Sequence, residues 1–282
     1  MTLENWKALA LDIKGCYTPL PHIILWGGEP LVCPYFDELV LFLKELGFTL
    51  GLITNGVLLD LHMEICKSSF KKIYVSIDGP WDIHDSIRGN GVFDRATANL
   101  TELAKSNVNV TVTSVLSPPL LGRLDEFINI VENLGADELL LQNYIHVSAG
   151  EADEYRKWMK DSFNIEANEI NSWITELPQD YEIKKEQAIE GIKDRKSKIT
   201  VTYLPHTNEN CTCLSANKHI HVSWNGNVLY CTDFYDFSAG NVKENHIDEI
   251  FNNEISEAYR REVVNNPACK HCSWRTKKEY WL

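Results

Sequence analysis

Four cysteines near one end of the chain have the types and spacing for metal or cluster chemistry. Cys213 precedes a strand-like stretch, Cys231 lies on the strand after it, and Cys269 and Cys272 form a C-x-x-C. The separations of 18, 38 and 3 residues would bring four thiolates together from a hairpin and one turn. Four thiolates suit either Zn²⁺ or an iron–sulfur cluster. A zinc ribbon usually shows two C-x-x-C knuckles, and this segment has one; the spacing leaves zinc, a cluster and unligated thiols all open. Cys211, two residues before Cys213, is an alternative ligand. Cys16, Cys33 and Cys66 are isolated, and the last two fall on helical patterns where cysteine is simplest as a small buried hydrophobe. His219, His221 and His271 are near the four, but histidines on hairpins and loops are more often solvated than ligating.

A second set of polar groups closes a series of apolar runs. The runs end in Gly27-Gly28-Glu29-Pro30, Thr54-Asn55-Gly56, Ser76-Ile77-Asp78-Gly79, Thr113-Ser114 and Gln142-Asn143. In sheets of parallel strands, ligands sit at the carboxyl ends, so these residues are candidates for the rim of a polar small-molecule site. Glycine and polar residues also end strands for purely conformational reasons. The pair Gly27-Gly28 lets a backbone approach a ligand closely with its C=O and N–H exposed. Glu29 supplies a negative charge for a cation such as an amine, and Pro30 fixes the exit of the chain.

These groups need elements to hold them. From residue 22 to about 142, HIILW, FTLGLIT, KKIYVSI, VNVTVTSVL and ADELLLQN read as strands. They alternate with helical stretches: PYFDELVLFLKELG with its stop at Gly47, LLDLHMEICKSS, a long helix from Val92 to Ser106, and LGRLDEFINIVENLG. Largely unbroken apolar strands between helices predict an α/β fold with five parallel strands under helical cover. EYRKWMKDSFN, EANEINSWITEL and KKEQAIEGIKDRK read as helices, with their tryptophans packing into a core. Residues 196–210 read as a linker holding one short strand, ITVTYL. KHIHVSW and NVLYCTDF pair across Asn225-Gly226, a type I′ turn signal, before a helix pair, HIDEIFNNEISEAYRREVVNN, and PACKHC. The expected division is 1–195 and 196–282.

The chain has 282 residues, 44% hydrophobic, with a formal net charge of −13. That charge argues against non-specific nucleic-acid binding, which needs basic patches. No apolar run approaches the ~18 residues of a membrane helix. Met1 to Ile13, with Glu4, Lys7 and Asp12, reads as an amphipathic helix and not a signal peptide. The expectation is a cytoplasmic protein with no membrane partner, its cysteines kept as thiols or ligands.

HIILWGGEPLV, LITNG and YVSIDGP, followed by HDSIRGNGVFDRATANL, closely resemble the radical S-adenosylmethionine (radical SAM) superfamily along essentially the whole chain. The likeness is to its subgroup with a C-terminal SPASM or shorter twitch auxiliary domain. It implies a partial (β/α) barrel, here missing its first strand, at 1–195, and a small twitch-like hairpin and helix domain at 196–282. Gly27, Gly28, Glu29 and Pro30 would meet the amino end of S-adenosylmethionine (SAM), with Asn55, Ser76, Asp78 and Gln142 as further candidates. Cys213, Cys231, Cys269 and Cys272 would hold one auxiliary [4Fe–4S] cluster. Arg88 and Gly89 look family-typical without an assigned role; such an arginine is more often an ion-pair partner.

One motif of the family is missing. The C-x-x-x-C-x-x-C that holds the SAM-cleaving cluster does not occur, and the 26 residues before Gly27 contain only Cys16. The chain is therefore expected to begin past that machinery, through a lost upstream segment or through natural degeneracy, the first being favoured by the intact SAM-facing motifs. The SAM site would then be only partly present. The implied function is an iron–sulfur oxidoreductase or a peptide- or small-molecule-modifying enzyme, served by an electron-donor protein and, as it stands, unable to cleave SAM. The alternatives are a degenerate, non-catalytic iron–sulfur or zinc-binding partner protein on the same scaffold, and a zinc-stabilised α/β domain.

Overall fold

The segment Asn109–Val115 alternates apolar and hydroxyl side chains, and its pattern is repeated across the sheet around it. In the computed structural model, which describes residues 1–204 and 213–272, six strands are parallel and in sequence order. They are β1 (Ile23–Leu25), β2 (Leu50–Thr54), β3 (Lys72–Ser76), β4 (Asn109–Val115), β5 (Glu138–Gln142) and β6 (Thr200–Tyr203). In-register residues of parallel strands share a face. One face carries Leu52, Ile73, Val75, Val110, Val112, Leu139 and Leu141, all fully buried. The opposite face carries Lys72, Tyr74, Ser76, Thr111, Thr113, Glu138 and Thr202.

The five strands expected between residues 22 and 142 are present. The sixth corrects the sequence reading: ITVTYL is not in a linker but pairs with β5, from Glu138↔Thr200 to Leu141↔Tyr203. Contacts accordingly group Thr18–Gln142 with Pro178–Tyr203 in one unit, a different division from a cut after residue 195. The approach to β6 is anchored by the Lys198 N–H to Glu132 (3.0 Å) and by Arg195 donating to Asn129 (2.8 Å). The helices Phe36–Glu45 and Leu124–Leu134 stop at Gly47 and Gly135, both left-handed. A helix at Trp81–Arg88 was not expected.

The polar face is tied by Glu138, which accepts from Thr202 (2.7 Å), Lys72 (3.0 Å) and Thr111 (3.2 Å). Burial pushes its carboxyl up, but the bonds from Thr202 and Lys72 outweigh that and hold it below the usual range. A carboxylate depressed on folding contributes stability above its unfolded pKa and loses it as pH falls through the folded value. We expect Glu138→Gln to cost about 1–2 kcal/mol in urea unfolding at pH 7. That cost should shrink at pH below the carboxylate range; a cost unchanged in acid would contradict the assignment.

The second unit comprises Met1–Tyr17, Asn143–Leu177 and Leu204–Leu282. Its helix Leu3–Cys16 opens on a capping box between Thr2 and Asn5, and Ala149–Phe163 on one between Ser148 and Glu151. The helix expected in EANEINSWITEL is only a 3₁₀ turn, Glu169–Trp173, after which Ile174 bridges Val147. The hairpin pairs β7 (His221–Val222) with β8 (Asn227–Leu229), and β9 (Gly240–Asn241) adds a third antiparallel strand. Its turn is not the expected two-residue I′ form. Ser223 pairs with Asn227 across three residues, and only Gly226 is left-handed, which is the three-residue loop with a glycine bulge. The helices Ile247–Asn252 and Glu254–Glu262 follow as expected. Asp12 joins the first helix to the start of the former, accepting from Ile247 N–H (2.8 Å) and meeting His246 Nδ1 (2.7 Å). No helix among the described residues is long and apolar enough to cross a membrane.

Candidate functional site

The parallel order places every strand-end candidate on the carboxyl edge of one sheet. Gly27 and Gly28 are exposed, Gly27 at φ 145, and a Cβ at either would meet nothing within 4 Å. That is an open backbone with room for a ligand. Glu29 behaves differently from a free charge. Its carboxylate accepts from the Leu31 N–H (3.1 Å), the Thr54 hydroxyl (2.8 Å) and the Asn55 N–H (2.7 Å). It therefore caps the 3₁₀ turn Pro30–Val32 and ties the end of β1 to the end of β2. Asn55 Oδ1 in turn accepts from Val57 N–H (2.9 Å). At Gly56 (φ 79) a Cβ would lie 2.9 Å from Val75, so no side chain fits there.

Asp78 is also engaged. It is buried and paired with Arg88, so the arginine is the ion-pair partner that its position suggested. The Asp78 N–H donates to His84 Nδ1 (3.1 Å), which leaves the proton of the ring on Nε2. Burial pulls His84 below the usual range, and its Nε2 is buried without a partner. The hydroxyls of Ser114 and Ser117, in and just beyond β4, are buried and unpartnered as well. Ser76 accepts from Thr113 (3.5 Å), and Gln142 ends β5 with its carbonyl bonded to Leu116 N–H. The sequence reading did not single out His84 or Ser117; a histidine in a polar stretch and a serine before prolines carry no local signal of burial.

The cysteines lie in the second unit. Cys269 belongs to its buried core, and Cys213 and Cys231 pack against that core. Tyr259 lies in the same core: burial first, then its nearness to Cys231, Cys269 and Cys213, holds its phenol well above the usual range. Tyr155 is raised by burial and by Cys231 and Cys269 among its neighbours. The Cys272 N–H bonds the Cys269 carbonyl (3.2 Å), and none of the four is in a disulfide with another described residue. Burial pushes the Cys231 thiol far up, although Phe234 N–H points at its Sγ (3.3 Å). Cys211 and the side chain of His271 lie outside the described residues. His221 is not solvated: its Nε2 meets Ser215 Oγ at 2.9 Å, and burial pulls it down to about 4.

Among the described residues, no three His, Cys, Asp or Glu side chains are gathered tightly enough for a single metal ion. A zinc site needs each sulfur about 2.3 Å from one ion, whereas a cluster takes its thiolates on separate irons. Soft thiolates suit zinc and an iron–sulfur cluster alike, and Cys213, Cys231 and Cys269 meet one core. Three buried polar atoms in the same unit also have no partner among the described residues, Tyr17 OH, Trp158 Nε1 and Asp233 Oδ2, and burial lifts the Asp233 carboxyl to about 7.

Residues 1–134 match the radical SAM superfamily and residues 211–273 match SPASM, an iron–sulfur cluster-binding domain. An AdoMet-dependent heme synthase of Methanosarcina barkeri is 27% identical over 256 residues, covering 86% of this chain and 70% of that protein. A tungsten-containing aldehyde ferredoxin oxidoreductase cofactor-modifying protein of Pyrococcus furiosus is 25% identical over 94% of this chain and 77% of its own length. Streptococcus suis SuiB, solved with its precursor peptide SuiA, shares the fold with a TM-score of 0.68 at 15% identity. That match covers 97% of this chain and 64% of SuiB.

Proposed function

Because the chain is a radical SAM protein with a C-terminal SPASM iron–sulfur domain, we propose that it serves the radical modification of a peptide or a small molecule. SAM would lie along the carboxyl edge of β1–β5, at Gly27, Gly28, Glu29, Pro30, Asn55, Ser76, Asp78 and Gln142. Cys213, Cys231, Cys269 and Cys272 would hold a [4Fe–4S] cluster. The observation that carries this reading is the open Gly27–Gly28 backbone, braced from behind by Glu29 on Thr54 and Asn55. When bound, SAM and the clusters supply the radical and electron-transfer chemistry.

The protein's own share is to bind and orient. The exposed carbonyls of Gly27 and Gly28 suit an ammonium group. Glu29 fixes that loop and has one acceptor position left of its roughly four. Asp78, tied to Arg88, supports the rim through its backbone. A peptide substrate follows SuiB, and a small molecule follows the heme synthase, whose match spans 86% of this chain. A separate electron-donor protein would serve the cluster. The second reading is a non-catalytic iron–sulfur partner protein on the same scaffold.

Anaerobic reconstitution with iron and sulfide, followed by SAM and dithionite, tests the proposal. We expect about four irons per chain and no 5′-deoxyadenosine above a protein-free control. Stoichiometric zinc without iron would overturn the cluster. Formation of 5′-deoxyadenosine would show that these residues suffice for SAM cleavage.

A further inference from the structure

We propose that the indole N–H of Trp158 donates a hydrogen bond to the sulfur centre held by Cys213, Cys231, Cys269 and Cys272, and so sets its reduction potential. This rests on the reading of those four thiols as iron–sulfur ligands.

Trp158 Nε1 is buried and has no acceptor among the described residues. Buried donors are almost always bonded, and an orphan asks for a partner beyond those residues. An indole can only donate, and cluster thiolates and sulfides can only accept. The helix that carries Trp158, Ala149–Phe163, packs on the turn Pro267–His271 that carries Cys269. The Trp158 ring lies 5.9 Å from that of Tyr155 and 6.4 Å from that of Tyr259. Both tyrosines belong to the buried core that includes Cys269, and Cys213, Cys231 and Trp158 pack against that core.

Packing does not by itself require a tryptophan here. Phe163, 5.3 Å from the Trp158 ring, fills the same core with a plain phenyl ring. The N–H is what distinguishes position 158. Hydrogen bonds to cluster sulfurs are among the main determinants of potential. A donor stabilises the more electron-rich reduced state, so its loss makes reduction harder.

The full chain, reconstituted with iron and sulfide, is titrated with dithionite against redox dyes and followed by electron paramagnetic resonance. Trp158→Phe should load iron like the wild type. At the wild-type midpoint its ratio of reduced to oxidised cluster should fall about three- to tenfold, tenfold being 59 mV for one electron. Phe163→Leu, which disturbs the same core without removing a donor, should leave the ratio within about twofold. Where Trp158→Phe fails to fold, Trp158→benzothienylalanine keeps the shape, replaces N–H by sulfur, and should give the same fall. An unmoved ratio in an iron-loaded Trp158 variant, or an equal shift in Phe163→Leu, overturns the role of Trp158. A wild-type chain that loads no iron overturns the ligand reading itself, and this inference with it.

Discussion

Cys231→Ala should lose well over half of the iron that the wild-type chain takes up, with its charge-transfer absorption, while Cys213→Ala should keep an intermediate amount. The asymmetry comes from what surrounds each thiol. Cys231 is packed against the core, and its loop is fastened on both sides. Trp173 Nε1 donates to the Asp233 carbonyl (3.0 Å), and Asp236 accepts from the N–H groups of Asn168 (2.7 Å) and Glu169 (3.0 Å). A ligand held this way is preorganised, and the nearest other cysteine, Cys213, is 18 residues away. Burial, then the nearby Asp233 and Cys269, keeps the bare Cys231 thiol protonated, so metal binding must displace that proton and is correspondingly pH-dependent. Cys213 has Cys211 two residues away as a substitute donor. Cys211→Ala combined with Cys213→Ala should therefore fall to the level of Cys231→Ala. Iron and sulfide analysis decides it; wild-type iron in Cys231→Ala would remove this residue from the ligand set.

What the sequence shows of this fold follows from how local each signal is. β1 to β5 are apolar runs flanked by helical periodicity, and they are legible because each is specified by its own residues. β6 is not. Thr200–Tyr203 is half exposed, and it becomes a sheet strand because β5 presents an open edge some sixty residues earlier. The Trp81–Arg88 helix hides because half of its buried face is a histidine, His84. At the site, glycine, glutamate and cysteine spacing identify the right segments, but hydrogen-bond partners depend on register. Nothing near Glu29 in the sequence announces that Thr54 and Asn55 will meet it. Trp158 shows the same limit. Its helical pattern reads correctly as core, and only the packed structure reveals that its N–H has no partner among the described residues.

Glu29→Ala should destabilise the sheet unit by about 2–4 kcal/mol without any ligand present, and Glu29→Gln should do nearly as much harm. The carboxylate receives three hydrogen bonds at 2.7–3.1 Å, two from backbone N–H groups. Bonds to a charged acceptor are worth about 1.5–3 kcal/mol each, and their loss leaves partly buried donors unpaired; three on one group are not additive. An amide keeps one accepting oxygen but turns its NH₂ toward groups that are themselves donors. Gln therefore cannot stand in, although it matches Glu in size. At about 2–4 °C per kcal/mol for a chain of this length, the transition that reports the sheet should fall by roughly 5–10 °C in both variants. A carboxylate that served only as the charge opposite a ligand amine would behave in the opposite way. Both substitutions would then leave the ligand-free melting temperature unchanged, and Gln would weaken SAM binding alone. Measuring thermal unfolding without SAM, and SAM affinity by equilibrium dialysis, separates the two roles. Loss of both together is the expected result, since a loop that Glu29 no longer braces cannot hold Gly27 and Gly28 in place.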